Sequence, residues 1–272
     1  MIPVFAVGAA STAIRLLHGK AALVSHAYLE PKPEDGKRVS KEDRNWIQWS
    51  DLESLRAVVR LLVGDCGAFT YWQRNLKGKP GRGMCVERWC DFIAEHGHMF
   101  DQLIAFDVIG DADASLRNWI KMLDVLPSSV HPKLIPVWHE GDPAEHLDAY
   151  DPDARLVGLG RTTGRRPSAD GRKATFRFYD QAFNAYPKGS FHFLGNANPE
   201  TIQPYPARQF DATSWERDSA YSQSHGFPWS AVSKDTRMRA YIEGFESIRH
   251  VPRELPKQTG MPWASENWVA NG

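Results

Sequence analysis

Short apolar runs recur along the chain, each closing on Gly, Asp, Asn or His and most followed by an amphipathic stretch. Eight read as strands: "PVFAVGA", "AALVSHAYL", "VRLLVGDCGAF", "LIAFDVIG", "KLIPVWHEG", "RLVGLGR", "SFHFLGNA" and "ARQFDATSW". Helical periodicity falls between them, in "STAIRLLHG", "RWCDFIAEHG", "ASLRNWIKMLDVL", "PAEHLDAY" and "FRFYDQAFNAY". Nearly continuous apolar strands alternating with helices imply a parallel sheet covered on both faces. Eight repeats of that unit predict an α/β fold of the closed (β/α)8 TIM-barrel type. A doubly wound open sheet would need only some of these strands. Its dinucleotide signature is missing, because "GLGR" lacks the third glycine and the following helix start.

Two segments break the alternation and read as loop insertions at strand ends. One is the charged, proline-containing stretch from Glu30 to Trp49, and the other is "GRTTGRRPSADGRK", residues 160 to 173. Residues 1–272 are read as a single barrel domain. In it, 216–272 form a C-terminal extension whose helical stretch "TRMRAYIEGFESIRH" packs against the barrel or closes its bottom. The final "PKQTGMPWASENWVANG" reads as an irregular tail.

At 272 residues one barrel or two smaller domains are both ordinary, and composition does not choose between them. The formal net charge is zero, so nucleic-acid binding has to rest on local basic patches. The apolar start has no preceding basic residue and is too short to span a bilayer, so it reads as a buried strand and no membrane partner is expected. Three cysteines, Cys66, Cys85 and Cys90, suit a reducing cytoplasm better than a disulfide framework. Cys85, Cys90, His96 and His98 lack the close cysteine pair of a standard zinc site, so neither metal nor cofactor is expected.

In such a barrel the residues just after each strand meet at one mouth. Asp65 ends the third predicted strand, Asp107 the fourth, His139 the fifth, the Gly158–Gly160 turn the sixth, Asn196 the seventh and Asp211 the eighth. Each aspartate alone reads as a turn residue. Together they suggest a site. Crowded carboxylates persist where they bind a metal, share protons or receive a donor-rich ligand. One carboxylate can accept the N1–H and amine of a guanine-like base while another attacks a sugar carbon, which is glycosyl transfer through a covalent intermediate.

"GDCGAFTYW", "IAFDVIGDA", "VWHEGD", "LVGLGR", "FHFLGNANPETI" and "QFDATSW" stand in the order shown by the tRNA-guanine transglycosylase superfamily, and the chain resembles it over roughly residues 60 to 215. It looks most like the branch of phages and bacterial genomic islands that inserts 7-deazaguanine bases into DNA. The resemblance implies Asp211 as the nucleophile on C1′, Asp65 as general acid/base and Asp107 as reader of the guanine edge. It further implies base binding by Gly158, Leu159 and Gly160, whose backbone supplies donors and whose missing side chains let the base approach. Gly67 and Phe69 would shape the pocket wall. His139 stands near a glutamine of the tRNA enzymes, as a base-binding donor or as a structural histidine.

The tRNA enzymes also carry a zinc site after the nucleophile, whereas no cysteine follows Cys90 here. The absence of that C-terminal zinc subdomain favours DNA over tRNA as the partner. Arg74, Lys77, Lys79, Arg161, Arg165 and Arg166 lie in basic stretches after the third and sixth strands and are the candidates to hold phosphates around a flipped base. The reading implied is exchange of guanine in DNA for a 7-deazaguanine base such as preQ0. It would protect phage DNA from restriction, in the cytoplasm of the host cell if the protein is phage-encoded. The alternatives are a tRNA-acting enzyme without zinc, a guanine or nucleic-acid binding module without catalysis, and a metal-dependent barrel hydrolase.

Overall fold

A computed structural model describes residues 1–8, 10–29, 47–76, 85–160, 169–212 and 233–252. Among the described residues nine short strands are all paired in parallel: β1 (Ile2–Ala6), β2 (Ala21–Ser25), β3 (Leu61–Asp65), β4 (Gln102–Ile104), β5 (Leu134–Ile135), β6 (Val137–His139), β7 (Leu156–Gly160), β8 (Ser190–Phe193) and β9 (Gln209–Ala212). Their order is β5-β4-β3-β2-β1-β9-β8-β7-β6, so the first and last strands of the sheet are consecutive in the chain. Pro136 separates them. Lacking an N–H, it interrupts the ladder, while its carbonyl accepts from Gly158 N at 2.8 Å and the Ile135 carbonyl accepts from Ala105 N at 2.8 Å. One strand thus leaves the β4 edge and joins the β7 edge at the proline. The sheet closes there into an eight-stranded (β/α)8 barrel.

Strand alternation accounts for the near-continuous apolar runs. Val4, Ala6, Ala21, Leu23, Val63, Ile104 and Val137 form one cluster, the filling of the barrel. The residues of opposite parity, including Phe5, Ala22, Leu62, Leu103, Trp138, Phe191, Phe193 and Phe210, belong to a second cluster shared with the surrounding helices. These are α1 (Ala10–Leu16), α2 (Trp49–Val58), α3 (Ala68–Leu76), α4 (Val86–His96), α5 (Ala112–Val125), α6 (Ala144–Tyr150), α7 (Ala169–Ala185) and the short α8 (Pro199–Ile202). Asp111 caps α5 by accepting from Ala114 N at 2.8 Å, an aspartate at a helix start as expected.

The helix Lys234–Ser247 buries Met238, Ile242 and Phe245. Phe245 stacks on Phe5 of β1 and meets Phe210 of β9 edge-on, each with ring centroids 6.0 Å apart. Lys20–Glu246, at 2.6 Å, and Arg15–Asp235 tie the helix to the barrel. It therefore covers the outer face of the β9–β1 seam and completes the helical ring, rather than closing the bottom. Two expectations are corrected. The last two residues of the third predicted strand "VRLLVGDCGAF", Ala68 and Phe69, begin α3, and the 160–173 insertion ends in α7, which begins at Ala169. The insertion from Glu30 to Trp49 lies outside the described residues up to residue 46; beyond it Ile47 bridges Leu29 and Trp49 opens α2.

Candidate active site

Register decides which polar residues enter the barrel mouth. On β3 the inward positions are Leu61, Val63 and Asp65, and Asp65 is paired with Ser25 at the end of β2. On β9 Asp211 is paired with Val4, an inward residue of β1, while Phe210 before it faces out into the helix layer. The aromatic–aspartate pair of "RQFDATSW" is thus a core anchor followed by a site residue.

Asp211 is 7 % exposed. Its Oδ1 accepts from His192 Nε2 at 2.9 Å and from Gly195 N at 3.0 Å, and no described residue hydrogen-bonds its Oδ2. Asp65 is part-buried. Burial pushes its carboxyl up to about 7; the Ser25 hydroxyl and the Gly67 N–H oppose the rise, and the charges of Asp107 and Asp211 add to it. Asp65 is therefore close enough to feel both of the other acids.

Asp107 lies beyond β4, with its side chain 10 % exposed. Its Oδ1 accepts from Cys66 Sγ at 3.4 Å, and its Oδ2 is 3.0 Å from His139 Nε2. Burial and the charges of Asp107 and Asp65 raise the Cys66 thiol well above its ordinary value, which keeps it a donor. His139, 6 % exposed, also has Asp142 near it: Nδ1 lies 3.6 Å from Asp142 Oδ2, which accepts the backbone N–H of His139 at 2.8 Å. Burial would lower this imidazole, but Asp107 and Asp142 outweigh it and raise it to about 9. The ring lies between two carboxylates, with Nε2 at hydrogen-bonding distance of Asp107 and no described group hydrogen-bonded to Nδ1.

The glycines of "LVGLG" behave differently from expectation. Gly158 donates its N–H to Pro136 at the barrel's strand exchange, so that donor is spent in the fold and is not offered to a base. Leu159 is fully buried in the outer layer. A Cβ on Gly160 would stand 2.6 Å from His139 Cδ2 and 2.9 Å from its Nε2, so this glycine makes room for the histidine ring rather than for an incoming base. Gly67 turns the chain at φ +82° between β3 and α3, and a Cβ there would meet Ala27 Cβ at 2.9 Å. Phe69 on α3 is 38 % exposed and lies against Trp72, with centroids 5.9 Å apart, which leaves an aromatic surface beside the β3 end.

Asn196 is a structural anchor: Nδ2 donates to Tyr179 Oη and Thr201 Oγ1, and Oδ1 accepts from Asn198 N. Arg74 lies on α3, while Lys77, Lys79, Arg161, Arg165 and Arg166 lie outside the described residues. Cys85 precedes α4 and Cys90 is buried on it, and no described group of three or more His, Cys, Asp or Glu is arranged to hold a metal. Two cavities, of about 320 and 490 Å³, lie beside α6 and α7 and at the N-terminal end of β1. Neither includes the titratable cluster, so the mouth is favoured as the site on its chemistry.

Sequence reasoning missed His192, Gln209, Cys66 and Asp142 as members of the site. The available signal was parity. His192 interrupts an aromatic strand at an inward position, and Gln209 precedes Asp211 by one strand repeat.

No family model matches the chain, and no curated protein does. Among solved structures, N-acetylneuraminate lyase from Mycoplasma synoviae is 8 % identical over 89 % of this chain and 80 % of its own, with a TM-score of 0.47. Orotidine 5'-monophosphate decarboxylase from Sulfolobus solfataricus is 10 % identical over 90 % of this chain and 98 % of its own, with a TM-score of 0.39. Both are enzymes, and at these values neither likeness bears on what this chain does. The closed parallel sheet itself defines the class, an α/β barrel. No described helix is long and apolar enough to cross a membrane.

Proposed function

We propose that this protein is a base-exchange enzyme that replaces guanine in DNA by a 7-deazaguanine base of the preQ0 type, through a covalent bond between Asp211 and the deoxyribose. The observation that carries the reading is the pairing of unlike carboxylates at one mouth: Asp65 raised to about 7, and Asp211 with one oxygen tied by two donors. Asp211 Oδ2 attacks C1′ of the flipped deoxyguanosine, and the C1′–N9 bond breaks. Asp65 gives its proton to the departing N9. The incoming base returns a proton from its N9–H to Asp65, its nitrogen attacks C1′, and the bond to Asp211 breaks.

Asp107 takes the base edge. A carboxylate offers about four acceptor positions, and the contacts from Cys66 and His139 occupy two, which leaves room for an N1–H and an amine. Held in place by His139, Asp107 meets these donors in a fixed orientation. The DNA must surrender the nucleotide from its stack, which costs a few kcal/mol.

Purified protein with duplex DNA and preQ0, followed by digestion and mass spectrometry, tests the reading. The modified deoxynucleoside is expected with wild type and absent with Asp211→Asn. Product in tRNA but not DNA would move the substrate to RNA, and product in neither would sink base exchange. Activity retained by Asp211→Asn would remove the covalent step.

A further inference from the structure

His192 is 0 % exposed in the middle of a strand whose neighbours, Phe191 and Phe193, belong to the outer core. An unpaired nitrogen on a buried imidazole is costly, so a fully buried ring is favoured by partners on both sides. It has them. Its register partner on β9 is Gln209, whose Oε1 lies 3.0 Å from Nδ1, and Asp211, two residues further along β9, places Oδ1 2.9 Å from Nε2. The turn after β8, with Gly195 at φ +65°, brings a backbone N–H to that same Oδ1 at 3.0 Å.

Two donors on one carboxylate oxygen fix its position and its rotation, since turning the group would break both contacts. Nε2 must be the donor, because a carboxylate oxygen only accepts. Nδ1 then faces an amide, which can accept from a protonated nitrogen or, turned over, donate to a bare one. The ring is therefore satisfied in either charge state, unlike a ring set between two acids.

We infer that His192, oriented by Gln209, is a positioning residue for Asp211: with the Gly195 N–H it locks Oδ1 and leaves Oδ2 as the oxygen offered to a reacting atom. The contact stands on the geometry, while its kinetic consequence rests on the covalent role proposed for Asp211.

Two measurements test it on the full chain. In ¹⁵N-histidine spectra, with His192 assigned by its loss in His192→Gln, the ring should carry its proton on Nε2 and shift in Asp211→Ala, which removes the acceptor. Unmoved His192 signals in that variant would overturn the contact. In the exchange assay, His192→Leu should lower kcat about 10- to 100-fold with KM for DNA within about twofold. His192→Gln, which returns an N–H near the Nε2 position, should recover most of the loss. An unchanged kcat in His192→Leu, or equal losses in both variants, would overturn positioning. If His192→Leu fails to fold, Gln209→Leu is expected to lower kcat at constant KM, and unchanged kcat there counts against the inference equally. No exchange by the wild type is failure of the proposed reaction, and the spectra then decide the His192–Asp211 contact alone.

Discussion

Two histidines meet aspartates at the mouth of this barrel, on strands separated by β7, and they are held in opposite ways. His139, at the end of β6, stands between Asp107 and Asp142 and keeps its second proton up to about pH 9. His192, on β8, stands between one aspartate and one amide. The first arrangement is a charge cluster whose acids balance a buried cation. The second sets a single carboxylate in one orientation and has no second acid. Charge balance at β4–β6 suits recognition by a fixed acceptor, Asp107, whereas orientation at β8–β9 suits an acid whose other oxygen is to react.

The comparison breaks most visibly at Asp211. Asp211→Asn keeps an oxygen for His192 and Gly195 and removes only the nucleophile, so exchange should fall at least about a thousandfold with the fold intact by circular dichroism. Asp107→Asn should instead raise KM for the base more than it lowers kcat, since that acid is assigned to binding.

The next largest effect is on stability, at His139. Its pKa in the folded state, about 9, lies above the ordinary 6.5, so its stabilising contribution is fully present below about pH 6.5 and is lost as pH rises through 9. His139→Gln leaves two acids without their cation and should cost about 3–5 kcal/mol at pH 6 in urea unfolding, with the difference shrinking toward pH 10. A penalty that ignores pH would mean that the ring is neutral. His192→Gln should cost less, because it strands no second carboxylate.

Asp65 gives a third effect with the same sign. Its carboxyl is raised from 3.8 to about 7, so the neutral form is favoured by folding: the advantage is complete below pH 3.8 and is gone once pH has passed 7. Asp65→Asn, which cannot ionise, should therefore gain about 2–4 kcal/mol over wild type at pH 8 and little at pH 4, read by urea midpoints across pH. The same residue should make the first half-reaction of wild type decline with a midpoint near pH 7.

Most of the barrel was legible in the pattern of apolar runs, because a strand buried on both faces has to be apolar on both faces. The exchange at Pro136 was written as one strand, "KLIPVWHEG", and the structure keeps it as one strand shared between two neighbours. α3 was hidden because Phe69, Tyr71 and Trp72 are as much strand formers as helix formers, and only the left-handed Gly67 forces the turn before them. In the site, Asp65, Asp107 and Asp211 were visible as acids at strand ends. Their partners were not, since whether His192 points at Asp211 depends on a register between β8 and β9 that neither strand encodes alone.

Gly160 supplies the smallest and most local of the tests. Its position on β7 is paired with His139 on β6, and both face inward, so a side chain at 160 and the imidazole would compete for one space. The added methyl of Gly160→Ala would lie 2.6 Å from His139 Cδ2 and 2.9 Å from Val137 Cγ1, too close for either to remain in place. Backbone strain is not the issue here, because Gly160 does not adopt a positive φ. The cost is overpacking, about 1–3 kcal/mol, and it should be partly relieved by shrinking the neighbour: with Val137→Ala the methyl loses one of the two side chains it collides with. Because the ring would be pushed off Asp107, the variant should also lower the pH at which His139 loses its proton, seen in its NMR titration. A loss of stability with that titration unchanged would mean that Val137, and not the histidine, yields to the methyl.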